Sequence, residues 1–580
     1  MAEDTPNMFS AVDFVIFALM LLISSVIGIF FAWRHRKLIS TEDYLLANRQ
    51  MSWFPVCVSM VASFFSAIGV MGIPSQIYTT GITFGLNFFA FIPPIAFCAE
   101  VLTPIYRKLN LTSVNEYLER RFSVGVRYLG CLLFLFQYLL YMSIVLYAPS
   151  LALQSVAGVP LAATIISTGV VCTFYTTLGG MRAVIWTDVF QSAIMILGLL
   201  LTAILGVYQV GGFTKVIDMA RKYERFTVDF NFDPRINHTA WGVIFGFMVS
   251  VGPSWTIGQP TVQRIISAKS EKHAKGALYA SAVVLFPIGV LLIIDAMVIF
   301  ALYGDCDLQR SGKIQSNDQI IPFFVVNALN HLPGVPGLFT ACLFSFALST
   351  LSSGLNAVSA LFVEDIIKKR YPEASETVTT RVAKVSAICS GAFLICFAFV
   401  VPKLGKFILS LTLKLFGIIG GPYLGLFILG LFSTKTNARG VCSGAISGLA
   451  LAFFLVIGSI IYPPDKQLPP ISIQGCSGFN ATTSNSTGII YPTAPVHTSP
   501  IASVFTISYV WVGLISFCAT LLVGYISSLI FNCFSKVPTQ SIDPDLLYDF
   551  NNNCLVRCVM GRKRHNSQKP EEMELMSDKV

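Results

Sequence analysis

Thirteen apolar runs, most of them twenty residues or longer, dominate this 580-residue chain. They lie at about 11–33, 51–74, 83–105, 127–150, 159–177, 186–210, 240–260, 276–303, 338–364, 381–401, 405–432, 439–461 and 504–532. A helix needs about 20 mostly apolar residues to cross about 30 Å of hydrocarbon, with every backbone polar group satisfied inside the segment. The runs are therefore read as thirteen transmembrane helices, and the chain as an all-α polytopic protein of the lipid bilayer. Charged residues make up only 12% of it, against about 25% in soluble domains. So little polar surface excludes a secreted enzyme, a nucleic-acid binder and a disordered scaffold. The first run is too long for a signal peptide and lacks a small-residue cleavage site, so it is expected to remain as a helix.

Basic residues cluster at alternate connections: Arg34, Arg36 and Lys37; Arg107, Lys108, Arg120 and Arg121; Arg182; Arg264, Lys269, Lys272 and Lys275; Lys368, Lys369 and Arg370; Lys435 and Arg439; Arg562, Lys563 and Arg564. Basic loops resist translocation, so these connections are expected in the cytoplasm. An odd number of crossings then leaves residues 1–10 outside, residues 11–532 as the transmembrane domain and residues 533–580 as a cytoplasmic tail. The glycosylation motifs at Asn237, Asn480 and Asn485 fall in outside loops, whereas Asn110 falls inside and is expected to stay unmodified. Cys306 and Cys476 also fall outside, on the oxidising side, which allows a disulfide between them. Cys554 and Cys558, flanking Arg557 near the membrane, permit palmitoylation.

Two spans are interrupted. The second contains Ala62-Ser63-Phe64-Phe65-Ser66-Ala67-Ile68-Gly69, then Gly72 and Pro74; the seventh contains Gly252-Pro253-Ser254-Trp255-Thr256-Ile257-Gly258-Gln259-Pro260. Breaks in mid-membrane free backbone carbonyls and amides for a ligand, and an offset of five spans inverts the topology of corresponding helices. That pattern fits two inverted five-helix repeats with a site between their broken first helices. In the ninth span, Ser349 and Thr350 lie in a hydroxyl run, either back-bonded to the preceding turn or presenting oxygens to a dehydrated sodium ion.

Four charges fall within or beside spans. Asp188 follows Arg182 and is either a salt-bridged anchor or a cytoplasmic way-station for sodium. Asp295 and Lys414 sit about 12–14 Å deep at 1.5 Å per residue, and either pair with each other or leave Lys414 to face an anionic substrate. Glu100 either snorkels or pairs with Arg107. No G-x-x-x-x-G-K-[ST], H-E-x-x-H or G-x-S-x-G is present, so the chain is not expected to be an enzyme or an ATP-driven pump. An ion channel is the rival from another class, because polar broken helices also line pores. The apolar wall Phe88-Phe89-Ala90-Phe91-Ile92-Pro93-Pro94 suits a carbon skeleton better than a hydrated halide, and favours a small organic anion as cargo.

From about residue 11 to 532 the chain resembles the sodium:solute symporters. The resemblance is carried by Phe174-Tyr175-Thr176-Thr177-Leu178-Gly179-Gly180-Met181-Arg182 running on to Asp188 and Gln191, by Leu348-Ser349-Thr350-Leu351-Ser352-Ser353, by Leu111-Thr112-Ser113-Val114-Asn115-Glu116-Tyr117-Leu118-Glu119, and by Leu332-Pro333-Gly334-Val335-Pro336-Gly337. The chain is most similar to the branch holding the sodium-coupled monocarboxylate, multivitamin and iodide transporters. The resemblance implies a LeuT-like core of ten helices in two inverted repeats, with one helix before it and two after. It further implies sodium-coupled import of a small organic anion, a monocarboxylate or vitamin-like carboxylate, at the plasma membrane by alternating access, with a sodium-dependent iodide carrier as the alternative. A homodimer is compatible with it.

Position by position, the resemblance implies a sodium site of the Ala62, Phe65 and Phe346 carbonyls with the Ser349 and Thr350 hydroxyls. It implies a substrate cavity lined by Ser66, Tyr141 and Thr412, and a sodium-release role for Asp188. Gly69 and Phe91 stand where iodide carriers place glutamines, which argues against iodide; they and Lys414 complete the expected substrate set.

Overall fold

Apolar residues recurring on helical spacing become helices whose buried stripes face one another. The computed structural model describes residues 9–34, 40–404, 407–462, 468–473, 475–476, 489–490, 504–534 and 542–548. Its principal helices are α1 (Ala11–Arg34), α2 (Trp53–Phe64), α3 (Ala67–Thr80), α4 (Val124–Ala157), α5 (Leu161–Val210), α6 (Gln259–Ser267), α7 (Glu271–Tyr303), α8 (Val335–Leu361), α9 (Glu376–Ala398), α10 (Ile408–Phe432), α11 (Ala438–Ile461) and α12 (Tyr509–Phe534). Among the described residues ten helices are long and apolar enough to cross a membrane, or eleven when the bent pair α2 and α3 is taken as one.

The ten-to-eleven figure differs from the thirteen runs for two local reasons. The fifth and sixth runs fuse into α5, whose 50 residues would span about 75 Å at 1.5 Å per residue, far more than a bilayer. Its break is Gly180, with φ 58° and ψ −162°. A Cβ there would meet the Tyr44 carbonyl oxygen at 2.8 Å, so only glycine fits. The seventh run is divided into Gly242–Gly246, Phe247–Ser250, Pro253–Thr256 and α6, each too short to count alone.

α8 is the axis of the bundle. Almost every residue from Phe339 to Leu361 is buried, and it packs on α5, α4, α1 and α2. Asp13, at the start of α1, accepts from the Gly334 and Gly337 amides at 3.1 and 2.8 Å, fixing α1 to the N-terminus of α8. α11 and α12 pack on each other and α12 covers α10, on the outside of this core.

The two ends of α7 mark two faces of the molecule. Beyond its last residue, Tyr303, a disulfide joins Cys306 to Cys476, and the Asp307 amide donates to the Ser472 carbonyl at 2.9 Å. Ile471–Ser472 pairs antiparallel with Ile489–Ile490 there. Asn237 is buried on this face, whereas Asn480, Asn485, Cys554 and Cys558 lie outside the described residues. At the opposite face, Arg107 donates to the Ile265 and Ala268 carbonyls just before α7. Here the segment after α12 returns to the bundle: Lys108 pairs with Asp545, the Tyr117 hydroxyl donates to the Leu546 carbonyl at 3.0 Å, and the Tyr548 amide donates to the Leu431 carbonyl at 3.1 Å. Leu546 is buried by these contacts.

Candidate functional site

The α2–α3 break is built by two consecutive extended residues, Phe65 (ψ 123°) and Ser66 (ψ 167°), and the two halves diverge by 58°. A helix end leaves its last carbonyls without the amides that would continue the ladder. Here the last turn of α2 turns those carbonyls toward α8. The Thr350 hydroxyl lies 3.3 Å from the Phe65 oxygen, 3.2 Å from that of Ser63 and 3.0 Å from that of Phe346. The Ser349 hydroxyl lies 3.3 Å from that of Ser63 and donates to Asp188 Oδ1 at 2.6 Å. Thus Phe65, Phe346, Ser349 and Thr350 converge as hydroxyl and carbonyl oxygens, with Ala62 in the same last turn of α2. Hard cations take oxygen ligands of this kind.

Directly beside this cluster, Asp188 on α5 and Arg264 on α6 form a buried ion pair. Arg264 Nη2 lies 3.0 Å from Asp188 Oδ2, and the two side chains are 1% and 0% exposed. Four serine hydroxyls complete the arrangement. Arg264 donates to Ser59 at 2.8 Å, Ser63 at 2.6 Å and Ser353 at 2.5 Å, while Asp188 accepts from Ser59 at 2.5 Å and from Ser349 at 2.6 Å. Such pairs hold their place in low dielectric only when their remaining donors and acceptors are satisfied, as they are here. The anchor expected from Arg182 is therefore not the partner: Arg182 pairs with Asp43 at 3.1 Å. Arg264 is the functional group that the charge pattern hid, because it stands just ahead of Lys269, Lys272 and Lys275 and reads as one more loop cation. The apolar pair Ile265-Ile266 directly after it is the signal in the sequence, and both are buried in the structure.

A cavity of about 110 Å³ opens on the other side of the break. Ser66, Gly69, Phe91, Tyr141 and Thr412 all line it, brought together from α3, α4, α10 and the segment Ile82–Phe91. Its walls are largely aromatic: Tyr141 meets Phe416 edge-on at 5.0 Å, and Phe64 meets Phe91 at 4.9 Å and Trp255 at 4.7 Å. Val251 and Ser254 from the broken seventh segment close it. A smaller cavity of about 50 Å³ shares Ser63, Phe64 and Tyr138 with it and reaches Arg264.

Lys414 is not in this group. It lines a separate vestibule of about 370 Å³ toward the disulfide face, with Gln76, Arg225 and Arg310. It does not pair with Asp295, which instead accepts from Thr202 at 3.2 Å. Two faces of α10 explain the separation: Thr412 and Leu409 face the central cavity, whereas Ser410 and Lys414 face the vestibule. Glu100 likewise takes neither expected role; it pairs with Lys275 at 3.1 Å and accepts from Tyr279 at 2.7 Å.

Comparison with known proteins gives these sites a context. The profile of the sodium:solute symporter family matches residues 44–448. The mouse sodium-coupled monocarboxylate transporter 2 is 37% identical over 96% of this chain and 88% of its own length. The human sodium-coupled monocarboxylate transporter 1 is 37% identical over 91% of this chain and 88% of its own. The rabbit sodium-dependent multivitamin transporter is 36% identical over 90% and 82%. Among solved structures, a sodium-coupled sialic acid symporter in a substrate-bound outward-open state superposes with a TM-score of 0.72 at 25% identity, covering 90% of this chain and 98% of that one. The matched profile, the relatives and the shared fold together make this chain a multi-pass membrane transporter of the sodium:solute symporter family, with sodium as its coupling ion.

Proposed function

We propose that the protein imports a short-chain monocarboxylate across the plasma membrane together with sodium. The observation that carries this reading is the oxygen cluster at the α2–α3 break, where Thr350 lies 3.0–3.3 Å from the Phe65 and Phe346 carbonyls, immediately beside an apolar cavity. Sodium is held by the Ala62, Phe65 and Phe346 carbonyls and the Ser349 and Thr350 hydroxyls, so one ion ties the broken α2 to α8. The solute occupies the cavity of Ser66, Gly69, Phe91, Tyr141 and Thr412, where few polar groups meet many apolar ones. Because both ligands share the break, each favours the arrangement that binds the other, which is the linkage a symporter requires. Asp188 accepts from Ser349 and is the next carboxylate a departing sodium ion meets, on the side of Arg264.

The cavity volume of about 110 Å³, well below the roughly 300 Å³ at which drug-sized pockets begin, favours an acid of a few carbons over a vitamin. The monocarboxylate transporters among the relatives support the same class. Treating α5 as two crossings at Gly180 and the divided seventh segment as another restores thirteen crossings in a five-plus-five inverted repeat. The disulfide face is then extracellular, together with the N-terminus, and the tail face is cytoplasmic. Uptake of labelled lactate, butyrate, biotin and iodide by expressing cells, with sodium or with choline, tests the reading: sodium-dependent, saturable lactate or butyrate uptake is expected, and uptake of iodide alone overturns it.

A further inference from the structure

The vestibule on the disulfide face has a polarity that the central cavity lacks. Three cationic side chains line it, Arg225, Arg310 and Lys414, and Asp307 is the one carboxylate among its described lining residues. Arg225 is 1% exposed and forms no ion pair among the described residues, an unusual place for a guanidinium. Its Nε donates to the Tyr78 carbonyl at 2.9 Å and its Nη1 to the Tyr223 carbonyl at 3.3 Å, and its plane lies 4.8 Å from the Phe300 ring centroid. Nη2 donates to no group among the described residues, and the side chain lines the vestibule. Burial pulls this guanidinium down to about 10, and the nearby Asp307 and Glu224 offset that only in part.

Arg225 is also held in place. Its carbonyl accepts from the Ile82 amide at 2.9 Å and sits 3.1 Å from where a Cβ would be on Gly81, whose φ of 92° ends α3. The cation is therefore fixed to the end of the same half-helix that lines the solute cavity. The vestibule and that cavity share two walls, α3 and α10, and are separated where Gly72 meets Leu409: a Cβ on Gly72 would lie 2.6 Å from the Leu409 Cβ.

We propose that the vestibule is an anion-binding antechamber for the transported carboxylate, with Arg225 Nη2 as its buried donor and Arg310 and Lys414 as its cationic walls. This rests on the reading of the protein as a carboxylate symporter. A carboxylate held there waits one helix contact from the cavity, and its local concentration is raised before the Gly72–Leu409 contact opens. Clefts lined by one sign of charge concentrate and steer ions of the other sign.

The test uses full-length protein in lipid nanodiscs and labelled lactate as probe. In sodium-free buffer the solute cavity lacks its coupling ion, so lactate binding there reports the vestibule. Binding is expected for the wild type, and Arg310→Gln/Lys414→Gln should weaken it about five- to tenfold, with the lactate KM of uptake rising by a similar factor and more than the saturating rate falls. Arg225→Lys, which keeps the charge but not the fork, should weaken binding as well; the Arg310/Lys414 variant keeps the test valid if Arg225 variants fail to reach the surface. No sodium-free lactate binding, or binding indifferent to Arg310 and Lys414, overturns the antechamber. Chloride displacing lactate at equal concentration would make it an inorganic-anion site and also overturn the proposal. Binding that persists while sodium-dependent uptake is absent instead overturns the symport reading and leaves the vestibule intact.

Discussion

Arg264 and Asp188 meet at 3.0 Å beside the broken α2, both almost wholly buried, with four serines of α2 and α8 and the Pro260 carbonyl among their remaining partners. Four separately placed segments thus meet at one charge pair. Removing one member strands the other in low dielectric, which costs about 3–5 kcal/mol, whereas removing both leaves only polar neutral groups. Arg264→Gln alone should therefore lower the thermal midpoint of the detergent-solubilised protein more than Arg264→Gln with Asp188→Asn. Fluorescence-detected melting of the four-member cycle measures this, and strictly additive losses would exclude coupling.

The oxygen cluster makes a second prediction. Ser349→Ala with Thr350→Ala removes both hydroxyls facing the break, each ligand contributing about 1–3 kcal/mol, or roughly 5- to 150-fold in affinity. The sodium concentration for half-maximal uptake should rise by at least that range's lower end while surface abundance stays near wild type. Unchanged sodium dependence removes these hydroxyls from the ion site.

Asp318 supplies a pH dependence outside the membrane-spanning helices. Its carboxylate accepts from the Ile408 amide at 3.1 Å at the start of α10, and burial raises it from the usual carboxylate range to about 6. Because the folded value lies above the unfolded one, its contribution to stability is full below about pH 4 and is lost as pH rises through about 6. Asp318→Asn keeps an acceptor for Ile408 without the buried charge. It should raise the melting temperature at pH 7.5 and change it little at pH 4.5; the opposite ordering would show that the ionised form is the stabilising one.

Sidedness is testable through glycans. With the disulfide face outside, glycosidase treatment should increase the mobility of the protein, and replacing Asn237, Asn480 and Asn485 together by Gln should abolish the shift. A shift that depends on Asn110 would invert the assignment. The same orientation predicts that Cys306 and Cys476 remain joined after extracellular proteolysis between them, until reductant is added.

Much of this was legible in the chain because a bilayer imposes length. Twenty apolar residues announce a helix whatever their order, and breaks such as Phe65-Ser66 and Gly252-Pro253 announce themselves against that background. Ser66, Gly69, Phe91, Tyr141 and Thr412 line one cavity, while Lys414 of the same expected set lines another. Charges were harder, because a cation in sequence carries no record of which way it turns. Lys414 is two residues from Thr412, yet about 100° per residue of helical rotation puts it on another face. Arg264 looked like part of a basic loop because only the tertiary fold reveals Asp188 beside it.

The docking of Leu546 and Tyr548 has a mechanical consequence. α12 ends at Phe534, but Tyr548 is fastened to Leu431, at the end of α10. The last described residue of the chain is thus tied to the end of α10 rather than to the end of α12. Tyr548 is fastened to the same rod whose other end carries Thr412 and Lys414, so a pull on Tyr548 becomes leverage on the walls of the central cavity and the vestibule.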